Sequence, residues 1–317
     1  MGTHCYSGNG AVTSPGYAAA MIRPARLIST LLCLLMALAL VGCSPRALVV
    51  SSLADELAGQ GQGAETDPEL ARDAAPFYLK LSEAVLAQQP GHAALAESVA
   101  ARMTEYSYAF VAFEADRIEA SDARAAERLR QRAAGLYQRA RKHAVNALER
   151  RNPGFMQALA DPAATPVLPK ADAGLAYWAA AAWGSWIALA KDNPETVADL
   201  PLVVRLAAVA KAADPDWGEG ALTSLRATLE AARPGGDKAQ AGRWFDAAIA
   251  RASGQSAGAY VAKAEGIALP AGDRSAFENL LRQALAVKEA SGSPRTLQNE
   301  VMRRRAAWLL EQAPDLF

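Results

Sequence analysis

The feature that most constrains the fold is a series of alanine-rich segments, running from Asp67 to the end of the chain and separated by helix-breaking residues. Alanine has the highest intrinsic helix propensity, and the segments show no sustained alternation of apolar and polar residues. A capping residue and a proline begin the first segment at Asp67-Pro68, and Pro90-Gly91 ends it. The sequence therefore predicts an all-α fold in which residues 67–317 form one helical domain.

The breakers also predict where the individual helices lie. After the first helix, the expected helices are 93–118, 122–151, 171–191, 200–213, 217–231, 237–253, 257–268, 273–288 and 295–312. The proline-containing segment 161–169 is expected to be an irregular crossover. Short connections place consecutive helices antiparallel, and a series of such pairs is typical of an α-solenoid.

A weak internal repeat supports the solenoid prediction. Ala241, Phe245 and Ala248 have the small–aromatic–small spacing of the second helix of a tetratricopeptide repeat. The same frame recurs on either side, at Val203, Ala207, Ala210 and Pro215 and at Phe277, Leu281 and Ala284. The spacing between consecutive frames is slightly longer than the tetratricopeptide period of about 34 residues. We expect a tetratricopeptide-like α-solenoid of antiparallel helix pairs with degenerate repeats, the alternative being accidental spacing in ordinary helix packing.

The beginning of the chain has the features of an export signal. Two arginines precede an apolar run at 27–41, which is shorter than the about 20 residues that a membrane-spanning helix needs. The run ends in Leu40-Val41-Gly42-Cys43, which resembles a bacterial lipobox. We therefore predict a lipoprotein signal peptide at 21–42, the alternative being an uncleaved anchor. Residues 1–20 are interpreted as an upstream extension from a misassigned start.

Cys43 is the predicted lipidation site and the first residue of the mature protein. Residues 43–66 then form a lipid-anchored tether with a short helix, because 59–65 is polar and rich in glycine. Several acyl chains on one cysteine attach a protein to a membrane lastingly. In lipoproteins of this kind, Ser44 in place of aspartate favours transfer to the outer membrane. We expect a periplasmic protein that Cys43 anchors to the outer membrane.

The composition and motifs argue against two classes of function. The chain has 33 basic and 33 acidic residues, whereas a nucleic-acid-binding protein needs clustered positive charge. His92 and His143 have no partner at metal-ligand spacing, and no serine lies in a Gly-x-Ser-x-Gly turn. We therefore predict a protein that is not an enzyme, with no catalytic residue, metal, cofactor or nucleic-acid partner.

The best candidate for a binding site is the aromatic segment 174–190. It is apolar around nearly its whole circumference, which predicts a central helix. Its large rings either fill the core or form the wall of an apolar cavity. Another aromatic residue, Tyr108, lies off the core-facing side of its own helix and faces a surface or cavity. The candidates for a ligand pocket are Tyr177, Trp178, Trp183, Trp186 and Tyr108.

Arginines are concentrated in the predicted helix 122–151. They lie opposite an apolar stripe, so they are expected to form a solvated face. The arginines in question are Arg124, Arg128, Arg132, Arg139 and Arg141. A role at a membrane surface or a partner is the alternative. The run Arg303–Arg305 is interpreted in the same way.

Together, the lipobox and four further segments resemble the T component of TRAP transporters. These segments are 65–86, 104–119, 174–201 and 302–317. The resemblance implies a lipid-anchored, tetratricopeptide-like protein of the periplasm that forms a homotrimer. It also implies docking of the solute-binding (P) component of the transporter, and an apolar channel or pocket for a hydrophobic or amphipathic ligand.

Two functions are compatible with the sequence. The first is an accessory lipoprotein that binds the solute receptor of a TRAP-type importer and exchanges a ligand with it. The second is a repeat-type scaffold lipoprotein that organises cell-envelope assembly without contacting any solute. A continuous cavity lined by the tryptophans would favour the first, and a dry packed core would favour the second.

Overall fold

The structure is a computed structural model that describes residues 45–59 and 64–317. Within these residues every regular element is a helix, which confirms the predicted all-α class. The predicted upstream extension, the signal peptide and the lipidation site Cys43 lie outside the described residues. The chain divides after Val49, and Val50–Phe317 forms one compact unit.

The helices of the described residues follow the predicted order closely. They are α1 (Pro45–Gly59), α2 (Pro68–Gln88), α3 (Ala93–Ser107), α4 (Phe113–Ile118), α5 (Ala123–Arg151), α6 (Phe155–Ala160), α7 (Ala173–Leu189), α8 (Pro194–Val197), α9 (Leu200–Ala213), α10 (Ala221–Ala232), α11 (Lys238–Arg251), α12 (Ala257–Lys263), α13 (Arg274–Ala286) and α14 (Thr296–Leu316). A π turn at Tyr108–Ala112 joins α3 to α4, and another at Ala264–Ala268 extends α12. The sequence did not predict the short helices α6 and α8.

Side-chain caps explain why several helices begin where they do. The carboxylate of Asp67 accepts hydrogen bonds from the backbone N–H groups of Glu69 and Leu70, which have no partner within the helix. Aspartates cap α5, α11 and α13 in the same way. His92 caps α3, because its Nδ1 accepts a hydrogen bond from the N–H of Leu95 at 3.0 Å. This histidine is half-buried, and its hydrogen bond to the helix start gives it a structural role.

The aromatic helix α7 is central, as predicted. It packs against α3, α5 and α9, and most of its alanines are fully buried. Alanine side chains allow neighbouring helices to approach closely. The first large apolar core surrounds α7 and includes buried residues from Ala54 to Leu229. A second core, from Ala257 to Ala313, is formed by α12, its π turn, α13 and α14.

The last helix returns to the beginning of the helical unit. Besides its contacts with α12 and α13, α14 packs against α2. Arg304 on α14 lies 2.6 Å from Glu69 on α2, measured from Nη1 to Oε1. Arg305 lies 3.1 Å from Asp116 on α4, measured from Nη1 to Oδ2. These contacts join elements from opposite ends of the sequence.

Three arginines that were predicted to lie on solvated faces, Arg141, Arg303 and Arg305, do not. The side chain of Arg303 is 22% exposed and pairs with Glu289. Arg141 is half-buried, with its guanidinium 4.4 Å from the ring centre of Trp183 and 5.2 Å from that of Trp186. The side chain of Arg305 is only 12% exposed and pairs with Glu265 and Asp116. Neighbouring helices cover these positions, and the π faces or carboxylates replace the lost water. The other predicted members of the α5 face, Arg124, Arg128, Arg132 and Arg139, are exposed.

The helical positions of the predicted repeat frame are all buried, whereas Pro215, which follows α9, is exposed. The helical positions lie on α9, α11 and α13, which are alternate helices of the chain. Phe245 and Leu281 occupy equivalent places in the frame, and neither has exposed surface. The tetratricopeptide-like solenoid itself stays a prediction.

Candidate ligand cavity

A cavity of about 790 Å³ lies between the two large apolar cores. Its walls come from α2, α3, the π turn at Tyr108–Ala112, α7, α10 and α14. Many of the lining residues are alanine, glycine or serine, whose short side chains leave the space unfilled. The volume falls within the range of about 300–1,000 Å³ that is usual for small-molecule sites.

One wall of the cavity is an aromatic cluster on α7. The rings of Tyr177 and Trp178 meet edge to face, with their centres 4.8 Å apart. Behind them, the ring centre of Trp217 lies 4.3 Å from that of Tyr177 and 6.5 Å from that of Trp178. Such contacts stabilise the rings against each other by about 0.5–1.5 kcal/mol per pair. Tyr177 and Trp178 therefore give the cavity a rigid apolar face, and Trp217, which the sequence did not single out and which does not line the cavity, supports their rings.

The other two predicted residues of α7 face away from this wall. Trp183 is buried and donates a hydrogen bond from Nε1 to Oδ2 of Asp199 at 3.2 Å. Trp186 lines a separate pocket of about 250 Å³, together with Arg141. The helical period explains the difference, because residues 177, 178, 181 and 185 share the face of α7 that lines the large cavity, and residues 183 and 186 lie outside that face. Neither Trp183 nor Trp186 is among the residues that line the large cavity.

Tyr108 reaches the cavity from the π turn that it begins. A π turn holds one extra residue, so it rotates the following side chains relative to an α-helix, and such turns are frequent at functional sites. The Tyr108 ring also packs against the second core and lies 5.6 Å from the guanidinium carbon of Arg305. Burial raises the pKa of the Tyr108 hydroxyl further above its ordinary value. The structure thus brings Tyr108, Tyr177 and Trp178 together around one cavity.

A polar strip on α3 forms a different wall. Glu97, Arg102 and Glu105 all line the cavity, and the described residues offer none of the three a hydrogen bond or an ion pair. The exposed surface of Glu105 faces the cavity, where protein atoms replace much of the surrounding water. Desolvation therefore raises the pKa of Glu105 to about 7, although the nearby Arg102 acts in the opposite direction. Desolvation likewise lowers the pKa of Arg102.

Glu97 is held at the beginning of α7 by a glycine. A Cβ atom at Gly174 would lie 2.1 Å from Oε1 of Glu97, so the carboxyl group occupies the room that the missing side chain leaves. The first turn of a helix favours a negative charge. Burial, and after it the nearby carboxylate of Asp172, nevertheless raise the pKa of Glu97.

Another part of the cavity wall is formed by Gly218, Glu219 and Gly220, which belong to the turn Trp217–Gly220. Gly220 has a φ of 106°, and a Cβ at this position would lie 2.6 Å from the carbonyl oxygen of Ala248. Only glycine meets both requirements. Glu219, from the same turn, forms an ion pair with Arg295 at the entry to α14. The charges of Glu219 and Arg295 are therefore paired with each other.

The sequence pattern did not identify the polar strip. Glu97, Arg102 and Glu105 lie within one broad face of α3, opposite the buried residues Val99 and Met103. An amphipathic helix with this pattern is normally interpreted as having its charged face in solvent. The only available signal is the small size of the intervening residues, since Ala94, Ser98 and Ala101 leave room for a ligand.

Within residues 45–59 and 64–317, no three His, Cys, Asp or Glu side chains are grouped so that they could hold a metal ion. Over the same ranges, the helices are too short or too polar for any of them to span a bilayer.

The fold and the cavity define a class of protein: an all-helical protein with an amphipathic cavity of small-molecule size. The sequence model of the TRAP transporter T-component family matches residues 64–317, so the chain belongs to this family, as its sequence had suggested. The family is an accessory component of TRAP transporters, which implies association with other TRAP subunits. The chain is also similar to an uncharacterised protein of Treponema pallidum (strain Nichols), with 27% identity over 315 residues that cover 90% of this chain and 95% of that protein.

Proposed function

We propose that this protein is a periplasm-facing lipoprotein, anchored through Cys43 to the outer membrane, that docks the solute-binding (P) component of a TRAP transporter. It exchanges a hydrophobic or amphipathic ligand with that receptor, and it acts by binding, not by catalysis. Family membership supports the role in transport. The homotrimer and the tetratricopeptide-like arrangement of helix pairs belong to the same proposal, and the buried repeat frame supports the arrangement.

The single observation that carries ligand exchange is the cavity of about 790 Å³ with its wall of Tyr177 and Trp178. An unfilled interior costs stability, because its lining atoms lose packing contacts. A scaffold that only organises other proteins has no need of such a space. The cavity therefore favours a ligand carrier over the scaffold function.

A surface beside the cavity suggests where the receptor docks. On α2, Leu70 is 57% exposed and Phe77 is 67% exposed. They lie two turns apart on the same face, and the next residue, Tyr78, lines the cavity. Large exposed apolar side chains beside a ligand site are typical of a partner surface. We infer that the P component covers this α2 rim, defined as Leu70, Phe77 and Tyr78.

Binding to the co-encoded receptor tests the docking proposal. The full-length protein in lipid nanodiscs is titrated with the purified receptor, and a complex is expected in the micromolar range. Leu70→Ala and Phe77→Ala are each expected to weaken it about tenfold, because an interface anchor is typically worth more than about 1 kcal/mol. Leu285→Ala on α13 is the matched control, since Leu285 is also exposed but lies on a different helix.

Three outcomes would contradict this proposal. Absence of any complex at tens of micromolar would overturn docking, and unchanged affinity in both α2 variants would overturn its location. For the anchor, Cys43→Ala is expected to move the protein from the membrane fraction to the soluble periplasmic fraction. Unchanged fractionation of that variant would overturn lipid attachment.

A further inference from the structure

Arg102 is a cationic side chain of the cavity wall for which the described residues supply no counter-charge at hydrogen-bonding distance. The other arginine of the wall, Arg295, pairs with Glu219, and Arg305 beside the cavity pairs with Glu265 and Asp116. A half-buried guanidinium without such a partner is costly, because protein atoms replace part of its water. Its presence in a cavity of this size indicates that an anionic group of another molecule pairs with the guanidinium.

The neighbours of Arg102 indicate which kind of anion it binds. Glu105 lies one turn further along α3, and its charge acts on the Arg102 guanidinium. Tyr177, from α7, lies near enough to Glu105 for that carboxylate to disfavour ionisation of the tyrosine hydroxyl, after burial has already raised its pKa. A guanidinium, a carboxyl group that is neutral when protonated and a phenol together offer several hydrogen-bond donors. Such a set fits the two oxygens of a carboxylate.

The same set lies beside an apolar wall. Trp178 is adjacent to Tyr177, and alanines occupy much of the remaining lining. A molecule with its acidic group at Arg102 would therefore place its apolar part against the two aromatic rings. We propose that Arg102 binds the carboxylate of an amphipathic organic acid, that the apolar body of this acid lies against Tyr177 and Trp178, and that binding is coupled to protonation of Glu105.

This inference rests on the proposed ligand exchange and specifies its chemistry. The coupling arises because an ionised Glu105 competes with the ligand for Arg102 and repels its carboxylate, whereas a protonated Glu105 donates a hydrogen bond. The other ionisable groups of the walls are Glu97 on α3, Tyr78 on α2, Tyr106 at the end of α3, Tyr108 in the π turn and the paired Glu219 and Arg295. Of these, only Glu97 adds an unpaired negative charge, and its carboxyl is held against Gly174 at the start of α7.

The expected pH dependence follows from the pKa of Glu105, which is about 7. If the acid binds the protein only when Glu105 is protonated, the competent fraction falls about tenfold between pH 6 and pH 8. The affinity should fall by up to the same factor. Near pH 7, binding should also take up about half a proton per ligand, because about half of the Glu105 side chains are then ionised.

Three probes of one size and shape test the proposal. They are 6-phenylhexanoate, 6-phenylhexan-1-ol and 6-phenylhexylamine, which carry an acid, a neutral and a basic head on the same apolar body. Each is titrated calorimetrically into the full-length protein in nanodiscs, and the heat from empty nanodiscs is subtracted. At pH 6 the acid should bind about tenfold more tightly than the alcohol and the amine. Repeating the acid titration at pH 7 in buffers of different ionisation enthalpy measures the proton uptake.

Variants then assign the effects to residues. Arg102→Gln should reduce the affinity for the acid to that for the alcohol, and it should leave the alcohol unchanged. Arg102→Lys keeps the charge without the forked donors and should fall between the two. Glu105→Gln should keep the pH 6 affinity and remove the difference between pH 6 and pH 8. Arg128→Gln, on the exposed face of α5, is the matched control, and circular dichroism checks that each variant is folded.

The inference is overturned if the acid binds no better than the alcohol, if the amine binds best, or if Arg102→Gln leaves acid binding unchanged. Acid binding that is equal at pH 6 and pH 8 would overturn the role of Glu105. If the acid and the alcohol bind equally, ligand exchange stands and only the head-group site fails. If none of the probes binds, ligand exchange fails together with this inference, whereas receptor docking is judged by its separate titration.

Discussion

Replacing Glu105 by glutamine is expected to make the protein more stable above neutral pH. In the folded state the pKa of Glu105 is about 7, against an ordinary value of 4.5. The folded protein therefore holds a proton that the unfolded chain has already released, and stability falls as the pH rises from about 4.5 to about 7. Glutamine has no charge to lose, so the variant escapes this loss.

The size of the gain follows from the same two pKa values. Their difference corresponds to at most about 3.4 kcal/mol of destabilisation at pH 8 and to about 0.8 kcal/mol at pH 5. Because Glu105 faces a cavity that admits water, solvent screening reduces these figures, and we expect about half of them. Glu105→Gln should then gain about 1–2 kcal/mol at pH 8 and less than about 0.5 kcal/mol at pH 5.

Urea denaturation of the full-length protein in detergent, followed by far-ultraviolet circular dichroism at pH 5 and pH 8, measures this gain. Glu311→Gln is the matched control, because Glu311 is an exposed carboxylate on α14, away from the cavity wall. Its unfolding free energy should change little at either pH. A variant at Glu105 that is no more stable than the natural protein at pH 8, or equally stabilised at both pH values, would refute the account of the polar strip. If Glu105→Gln makes the protein more stable but its ligand binding less dependent on pH, the natural glutamate is retained for function and not for stability.

Two further predictions concern polar groups outside the cavity. Burial opposes ionisation of Glu83, but hydrogen bonds from His143, Arg139 and a lysine outweigh it and lower the pKa of Glu83 to about 2. Urea denaturation of Glu83→Gln should therefore show a free energy of unfolding that is about 2–3 kcal/mol lower at pH 7. This difference should disappear as the pH falls from about 4.5 to about 2. Asn299 is buried and accepts a hydrogen bond from the N–H of Ala257 at 3.0 Å, so Asn299→Ala should cost about 2–4 kcal/mol in the same assay, and a loss below about 1 kcal/mol would contradict the view that this bond is needed.

Much of the helical framework could be predicted because its causes are local. Asp67 and Asp122 cap their helices with their own side chains, and the following residues supply the N–H groups. Breakers such as Pro90-Gly91 end helices without help from distant residues. The short helices α6 and α8 were missed because each is only a turn or so long, too short for an apolar period to show.

The candidate site was predicted in part. Segment 174–190 predicted a central aromatic helix, because a helix that is apolar on all sides must be covered by other helices. Its composition could not show that Tyr177 and Trp178 face open space while Trp183 is packed under Arg141. The orientation of each ring depends on which neighbouring helices are close and which leave a gap.

The sequence by itself determined that this chain is helical, where its longer helices begin and end, and to which family it belongs. Only the tertiary structure decided that the charged face of α3 meets a cavity and not solvent. The physical reason is that α14 returns to α2 and α4, where Arg304 pairs with Glu69 and Arg305 with Asp116. Contacts between residues so distant along the chain leave no periodic signal in the sequence, yet they enclose the space between the two apolar cores.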